Sequence, residues 1–329
     1  MSRYAEAHKN PAGPGDARPT ALQIIKDEGL EGKMKDKVFL VTGASSGIGI
    51  ETGRALAATG AKVFLTARSL EKGQAACASF LEPGRVELLE LDTSDLSSVR
   101  KAAAAFLQKS PTLNVLVCNA GVMLIPTREE TAEGFEMQLA TNYLGHFLLF
   151  DLLKDALLKA STPEFNSRIV NVASSGHHQS EIVFDDFQLK APGAYDANKA
   201  YGQSKLAQIY NANYIDRHFG PRGLHALSLM PGGIMTGLQK HIPDEVKQSW
   251  QVATETRNFL KSIEQGAATT VLAAVSKEWE GKGGKYLEDC RVALAEPFVK
   301  GIAGVAPYAY DEEKENKLWD LTRKTLGLA

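Results

Sequence analysis

Thr42-Gly43-Ala44-Ser45-Ser46-Gly47-Ile48-Gly49 stands where an apolar, β-branched run at 38–42 gives way to a helical pattern at 48–58. Between a strand and a helix, three glycines let the backbone turn sharply, let a pyrophosphate approach with no Cβ in the way, and let the helix pack close to the strand. The helix N-terminus then offers unpaired N–H groups to that phosphate. Glycines at this spacing say little alone. The strand before them and the helix after them make Gly43, Ser45, Ser46, Gly47, Ile48 and Gly49 candidate dinucleotide ligands.

The same alternation continues downstream. Short apolar runs at 62–67, 86–91, 115–118, 168–172, 224–230 and 285–287 read as strands, and 70–80, 96–108, 131–160, 200–219 and 265–276 read as helices. With the first strand and helix, seven strands alternate with six helices, the pattern of a doubly wound sheet. The predicted fold is therefore α/β, a single Rossmann-type domain over 37–329 with a seven-stranded parallel sheet flanked by helices. Residues 1–19 hold Pro11, Gly13, Pro14 and Gly15 and little apolar surface, so a flexible arm is expected there. Residues 20–36 form a helical extension, with Thr20 as N-cap and Leu22, Ile24, Ile25 and Leu30 as its apolar positions.

Two stretches break the rhythm, 175–196 and 233–262. Both follow strands, at the carboxyl end of the sheet where open α/β folds bind ligands, and the second is long enough to be a substrate lid. Residues 291–329 form a C-terminal extension.

Over 329 residues, 37 Lys+Arg against 39 Asp+Glu leave a formal net charge of -2. Such a chain has no long-range field for a polyanion, which argues against a nucleic-acid partner and for a small molecule. No apolar stretch approaches the roughly 18 residues of a membrane span, and no signal-peptide core opens the chain. No membrane anchor is expected, and a cytoplasmic location is. Cys77, Cys118 and Cys290 lack paired spacing and sit in apolar contexts, as buried thiols of a reducing compartment do. His146, His177 and His178 have no partners at ligand spacing, so no metal is expected.

The second strand ends at Ala67-Arg68, without an acidic residue for two ribose hydroxyls. Arg68, with Ser46 and Lys72 nearby, suits a 2′-phosphate through charge-assisted hydrogen bonds, which favours NADP(H) over NAD(H). The alternative is a solvated loop arginine. Asp92, closing the third strand, suits the adenine amine or a cap for the helix from Leu96 equally well. Asn119-Ala120-Gly121 closes the fourth strand, where small residues let the cofactor approach, while Asn119 could equally tie strands together. Pro231 and Gly232 end the sixth strand at the nicotinamide end, and Thr236 in the lid is a candidate pyrophosphate contact.

Together with Asn142, Ser174, Tyr201 and Lys205, these residues give a pattern that resembles the short-chain dehydrogenase/reductase family over 37–287. Within it, Asn142-Tyr143-Leu144-Gly145-His146-Phe147, Tyr201-Gly202-Gln203-Ser204-Lys205-Leu206-Ala207 and the tail around Gly284-Lys285-Tyr286 and Leu318-Trp319 look most like the retinol dehydrogenase and WW-domain oxidoreductase branch. Unlike that branch, neither a membrane anchor nor a WW module is expected before the glycine turn, which speaks against a retinoid substrate. The resemblance implies hydride transfer between nicotinamide and a carbonyl or alcohol. It also implies roles for Asn142 in holding a relay water, for Ser174 in gripping the substrate oxygen and for Lys205 in holding the nicotinamide ribose. Helices matching 131–160 and 200–219 form dimer faces in many relatives, so a homo-oligomer is one expectation.

A free tyrosine, with a pKa of about 10, is a reluctant base and needs a cation nearby. Tyr201 and Lys205 are four residues apart and share a helix face. Lowering the phenol to about 7 corresponds to roughly 4 kcal/mol of preference for the phenolate, to be supplied by the buried ammonium together with the positive nicotinamide. Strand alternation points Ser174 and the adjacent Ser175 to opposite faces, and the resemblance implies that Ser174 is the catalytic one. Tyr195 and Lys199 repeat the Tyr-to-Lys spacing but follow Pro192-Gly193, and so read as a loop. The lid residues Leu238, Ile242, Trp250, Phe259 and Leu260 suggest only an apolar cavity; together with the chemistry that the resemblance implies, the expected partner is a small hydrophobic carbonyl or alcohol substrate. A cofactor-binding sensor or scaffold, and a rearrangement or cyclisation enzyme of the same fold, are the alternatives.

Overall fold

The computed structural model describes residues 3–295 and 303–328. Of the segments expected above, 1–2 of the arm and 296–302 and 329 of the C-terminal extension lie outside the described residues. The strands are β1 (Val38–Val41), β2 (Lys62–Ala67), β3 (Val86–Glu90), β4 (Val115–Cys118), β5 (Ser167–Val172), β6 (Leu224–Met230), β7 (Gly233–Ile234), β8 (Leu260–Lys261), β9 (Lys285–Glu288) and β10 (Arg291–Val292). The helices are α1 (Ala21–Asp27), α2 (Ile48–Ala58), α3 (Leu70–Cys77), α4 (Leu96–Lys109), α5 (Met137–Leu139), α6 (Gly145–Ala160), α7 (Ala197–Phe219), α8 (Asp244–Val252), α9 (Thr254–Phe259), α10 (Ile263–Gly266), α11 (Ala268–Val275) and α12 (Glu312–Thr325).

The main sheet has the order β10-β9-β6-β5-β4-β1-β2-β3, and β7 pairs with β8 apart from it. Seven strands run parallel as expected. The eighth, β10, adds antiparallel to β9 through a tight turn at Asp289-Cys290, both with left-handed φ (50° and 56°). A two-residue strand carries no periodicity, which is why the sequence pattern misses it.

Alternation along the strands feeds two cores. Phe39, Val41, Val63 and Leu65 pack with α1, α2 and α11, while Leu40, Phe64 and Leu116 pack with α4 and α6. The strand order reverses between β1 and β4, which opens a crevice at their carboxyl ends. All three cysteines are buried, as expected.

Two expectations need revision. The helix expected at 131–160 begins only at Met137 and passes through a π-helical stretch, Ala140–Leu144, centred on Asn142. Residues 3–19 do not run free: Tyr4 and Arg18 are buried, and the segment lies against α1 and the lid. α12 packs along α7, where Trp319 stacks on Tyr214 at 3.9 Å, and it reaches α6 at Phe147, 4.8 Å from Trp319. Tyr143 Oη and Thr322 Oγ1 add a buried hydrogen bond of 2.8 Å. The tail that the resemblance had marked around Trp319 thus packs on part of the helix surface from which an oligomer was expected.

Candidate active site

The glycine turn is built as its sequence suggests. Gly43 and Gly47 have positive φ (77° and 66°), and a Cβ on Gly43 would stand 2.8 Å from the Ala120 Cα. A Cβ on Gly49 would collide with the Gly43 carbonyl, so this residue sets how closely α2 approaches β1. Thr42 Oγ1 accepts the N–H groups of Asn119 and Ala120 (both 2.9 Å), and Asn119 Nδ2 donates to Thr42 O (2.8 Å). Asn119 therefore does tie the ends of β1 and β4, while also lining the crevice. His146 completes the tie: its Nε2 is 2.8 Å from Thr42 Oγ1 and its Nδ1 is 2.9 Å from Asn142 O. Burial pushes this imidazole down to about 4, so it is a neutral strut.

The crevice is a cavity of about 790 Å³. Gly43, Ser45, Ser46, Gly47, Ile48, Arg68, Asn119, Ala120, Gly121, Ser174, Tyr201, Lys205, Pro231, Gly232 and Thr236 all line it. Arg68 is exposed at the end of β2 and lines the crevice along with Ser46, with no ion pair to a described residue. Thr236 closes over the turn, its methyl 3.2 Å from where a Cβ on Gly47 would lie, and it caps the short helix Gly237–His241. Asp92 falls outside this lining: its Oδ1 takes the N–H (2.9 Å) and hydroxyl (2.6 Å) of Ser94. Nor does it cap α4, because Asp95 accepts from Ser97 and Ser98 there.

At the deep end the Ser174 hydroxyl faces the Tyr201 phenol within hydrogen-bonding reach, and Lys205 Nζ lies 5.7 Å from the Tyr201 ring centroid. Burial pushes the phenol up to about 12, against the Ser174 hydrogen bond, and pushes the Lys205 ammonium down to about 7. The sequence argument expected a phenol lowered by the ammonium together with the positive nicotinamide. Lys205 Nζ donates to Val172 O (2.8 Å) and Gln208 Oε1 (3.0 Å) and meets no carboxylate, so nothing offsets the burial that lowers it. Asn142 sits below Gly121 with its side chain fully engaged: Nδ2 donates to Val122 O (3.0 Å) and Ser204 Oγ (2.9 Å), and Oδ1 accepts from Val122 N (2.8 Å). Ser175 begins a 3-10 turn, and Tyr195 lies outside the cavity with its hydroxyl on Ile125 O (2.7 Å).

Several contributors went unread in the sequence. A Cβ on Gly176 would meet the Tyr201 ring at 2.6 Å and Ser174 Oγ at 3.3 Å, so this glycine lets the two hydroxyls meet. Its place two residues after Ser174 was the available signal. Met123, Leu124 and Gln179 join Leu238, Ile242, Trp250, Phe259 and Leu260 on the wall. Gln203 pins the 175–196 stretch by taking Val183 N–H and donating to Phe187 O.

A dinucleotide fits the donor set. Among the described residues the lining includes Arg68, Lys205 and Lys240 and no carboxylate, and its glycine cradle is space that any Cβ would fill. No group of three His, Cys, Asp or Glu able to hold a metal occurs among the described residues, and no described helix is long and apolar enough to cross a membrane.

Comparison with known proteins agrees with this architecture. The family model of the short chain dehydrogenases matches residues 37–187. The chain is 57% identical over 328 residues to the short-chain dehydrogenase/reductase prx1 of Penicillium roqueforti, covering 99% of this chain and 96% of that one. It is 37% identical over 299 residues to human retinol dehydrogenase 11, with 90% and 87% covered. Among solved structures, the Pseudomonas aeruginosa RhlG/NADP active-site complex superposes with a TM-score of 0.62 over 78% of this chain and 96% of that one; at 22% identity this shows the shared fold.

Proposed function

The chain belongs to the short-chain dehydrogenase/reductase family of oxidoreductases, and we propose that it is an NADP(H)-dependent enzyme that reduces a hydrophobic ketone or aldehyde, or oxidises the matching secondary alcohol. The observation that carries this reading is the meeting of Ser174, Tyr201 and Lys205 in one cavity with the glycine turn and Arg68.

Bound NADPH would supply the hydride. Gly43 to Gly49 and the N-terminus of α2 would hold its pyrophosphate, Arg68 and Ser46 its 2′-phosphate, and Lys205 its ribose hydroxyls. A carbonyl oxygen placed between Ser174 Oγ and Tyr201 Oη accepts a hydrogen bond from each. As hydride reaches the carbonyl carbon, the oxygen gains charge, and the Tyr201 phenol gives it a proton. A phenol held near 12 is fully protonated at neutral pH and therefore ready to act as this acid. The reverse reaction needs the phenolate and so a higher pH. Asn142 ties the loop after β4, at Val122, to Ser204 of α7. The apolar lid wall excludes water and favours a hydrophobic substrate.

The test is NADPH consumption over a panel of hydrophobic ketones and aldehydes, with Tyr201→Phe beside the wild type. Turnover by the wild type that falls by at least about 10² in the variant is expected, the scale of a lost general acid. NADPH binding without turnover, or product formation without net NADPH consumption, would move the chain to the sensor or the rearrangement reading respectively.

A further inference from the structure

The segment 3–18 and the returning end of the lid meet across more than half the chain. Arg18 is 4% exposed, and its guanidinium gathers three consecutive carbonyls where the lid rejoins the body: Nη1 donates to Phe259 O (3.0 Å), and Nη2 to Leu260 O (2.6 Å) and Asn258 O (3.3 Å). Nη2 also reaches Gly13 O (3.1 Å), and Nε reaches Asp16 Oδ1 (2.8 Å), which neutralises it. Gln265, 2% exposed, grips the same turn. Its Nε2 donates to Asp16 O (3.1 Å) and Arg18 O (3.0 Å), and its Oε1 accepts from Gly15 N (2.9 Å) and Ser262 N (3.0 Å).

A second clasp lies nearby. His8 Nε2 is 3.7 Å from Asp289 Oδ1, which takes Lys261 Nζ at 2.7 Å; Lys261 in turn donates to Pro231 O (3.2 Å). The segment thus touches both walls of the deep cavity. Phe259 and Leu260 line the substrate side, and Pro231 lines the end assigned to nicotinamide. The Phe259 ring rests on Gly233, where an added Cβ would meet it at 3.0 Å.

We propose that residues 3–18 form a strap that fixes the substrate wall, with Arg18 as the positioning residue acting through Phe259 and Leu260, so that selectivity among apolar carbonyl substrates depends on it. The proposal rests on the reductase reading of the site. A planar fork of five N–H donors can serve several carbonyls and a carboxylate at once, whereas an ammonium has three donors on one atom. Arg18→Lys therefore keeps the charge beside Asp16 and loses the span.

The experiment compares wild type, Arg18→Lys, Phe259→Ala and the double variant, in the full-length chain. NADPH affinity, KM and kcat for one small and one bulky apolar ketone, and hydrogen exchange of the 254–261 peptide are measured. Arg18→Lys is expected to leave NADPH affinity and small-ketone turnover within about twofold and to raise the bulky-ketone KM about tenfold, the scale of lost hydrogen bonds to a charged group. Phe259→Ala should reproduce that loss, and the double variant should add little to it. The 254–261 amides should exchange faster while those of β4 and β5 stay protected. Unchanged exchange at 254–261 overturns the strap whether or not any ketone is reduced; a wild type inactive on every ketone, with that exchange accelerated, refutes the reductase reading and leaves the strap standing. Equal KM changes for both ketones overturn the selectivity role. Should Arg18→Lys fail to fold, Asp16→Asn, which keeps the acceptor oxygen and removes the counter-charge, gives the same readouts.

Discussion

Arg68→Ala is the sharpest perturbation of the cofactor assignment. Arg68 lines the cavity along with Ser46, exposed and without an ion pair to a described residue, so removing it leaves no buried partner behind. Its loss subtracts only what it gives the ligand. Hydrogen bonds to a charged group contribute about 1.5 to 3 kcal/mol, or about tenfold to 150-fold in affinity. Exposure to water places this arginine at the lower end, so NADPH should bind about tenfold more weakly. NADH, which lacks the 2′-phosphate, should bind as before. The assay is titration of the apo protein with each cofactor at two ionic strengths, since the NADPH advantage should shrink as salt screens the exposed pair. Equal weakening for both cofactors, or none for NADPH, would refute the assignment of Arg68 to the 2′-phosphate.

Alcohol oxidation needs the Tyr201 phenolate, and burial holds the phenol near 12, so oxidative kcat/KM should climb from pH 7 to 10 while ketone reduction does not; a flat oxidative profile would remove Tyr201 as the base. Lys205 is pushed down to about 7 from 10.5, so the unfolded chain binds its proton more tightly across that window and the wild type gains stability as pH rises through it. The melting temperature of apo Lys205→Met, relative to wild type, should therefore decline from pH 7 to 10, and a constant difference would contradict the burial argument. Trp319→Ala, which empties the aromatic cluster joining α12 to α6 and α7, should cost about 3 to 5 kcal/mol in urea unfolding, and a loss under about 1 kcal/mol would show that α12 is not held by that ring.

What could be read from the sequence was whatever one short segment encodes by itself. Gly43, Gly47 and Gly49 announce a turn because the constraint lies in their own backbone, and Tyr201 and Lys205 announce a shared face because four residues make one turn of helix. The choice of Tyr201 over Tyr195 needed only the apolar residues after it. The same local rule explains the misreadings. The 131–160 helix starts late because Thr131 to Glu136 fold as a turn whose apolar content mimics helical spacing, and Asp92 looked like a cap because Asp95, three residues on, does that work.

The direction of the Tyr201 shift was out of reach for a different reason: it comes first from burial of the phenol itself, and that is decided by the elements packed around it rather than by the four-residue spacing to Lys205. Arg18 shows the limit most clearly. A segment rich in proline and glycine with little apolar surface reads as disordered on composition, because composition counts what a segment can bury of its own. Arg18 instead buries itself by satisfying carbonyls at 258–260, more than two hundred residues away, and Gly13 and Gly15 serve to bring their backbone within reach of it and of Gln265. The stretch that sequence reading sets aside as a loose end is therefore the one that holds the substrate wall, and a search for specificity determinants confined to the lid would pass over the residue on which the lid is anchored.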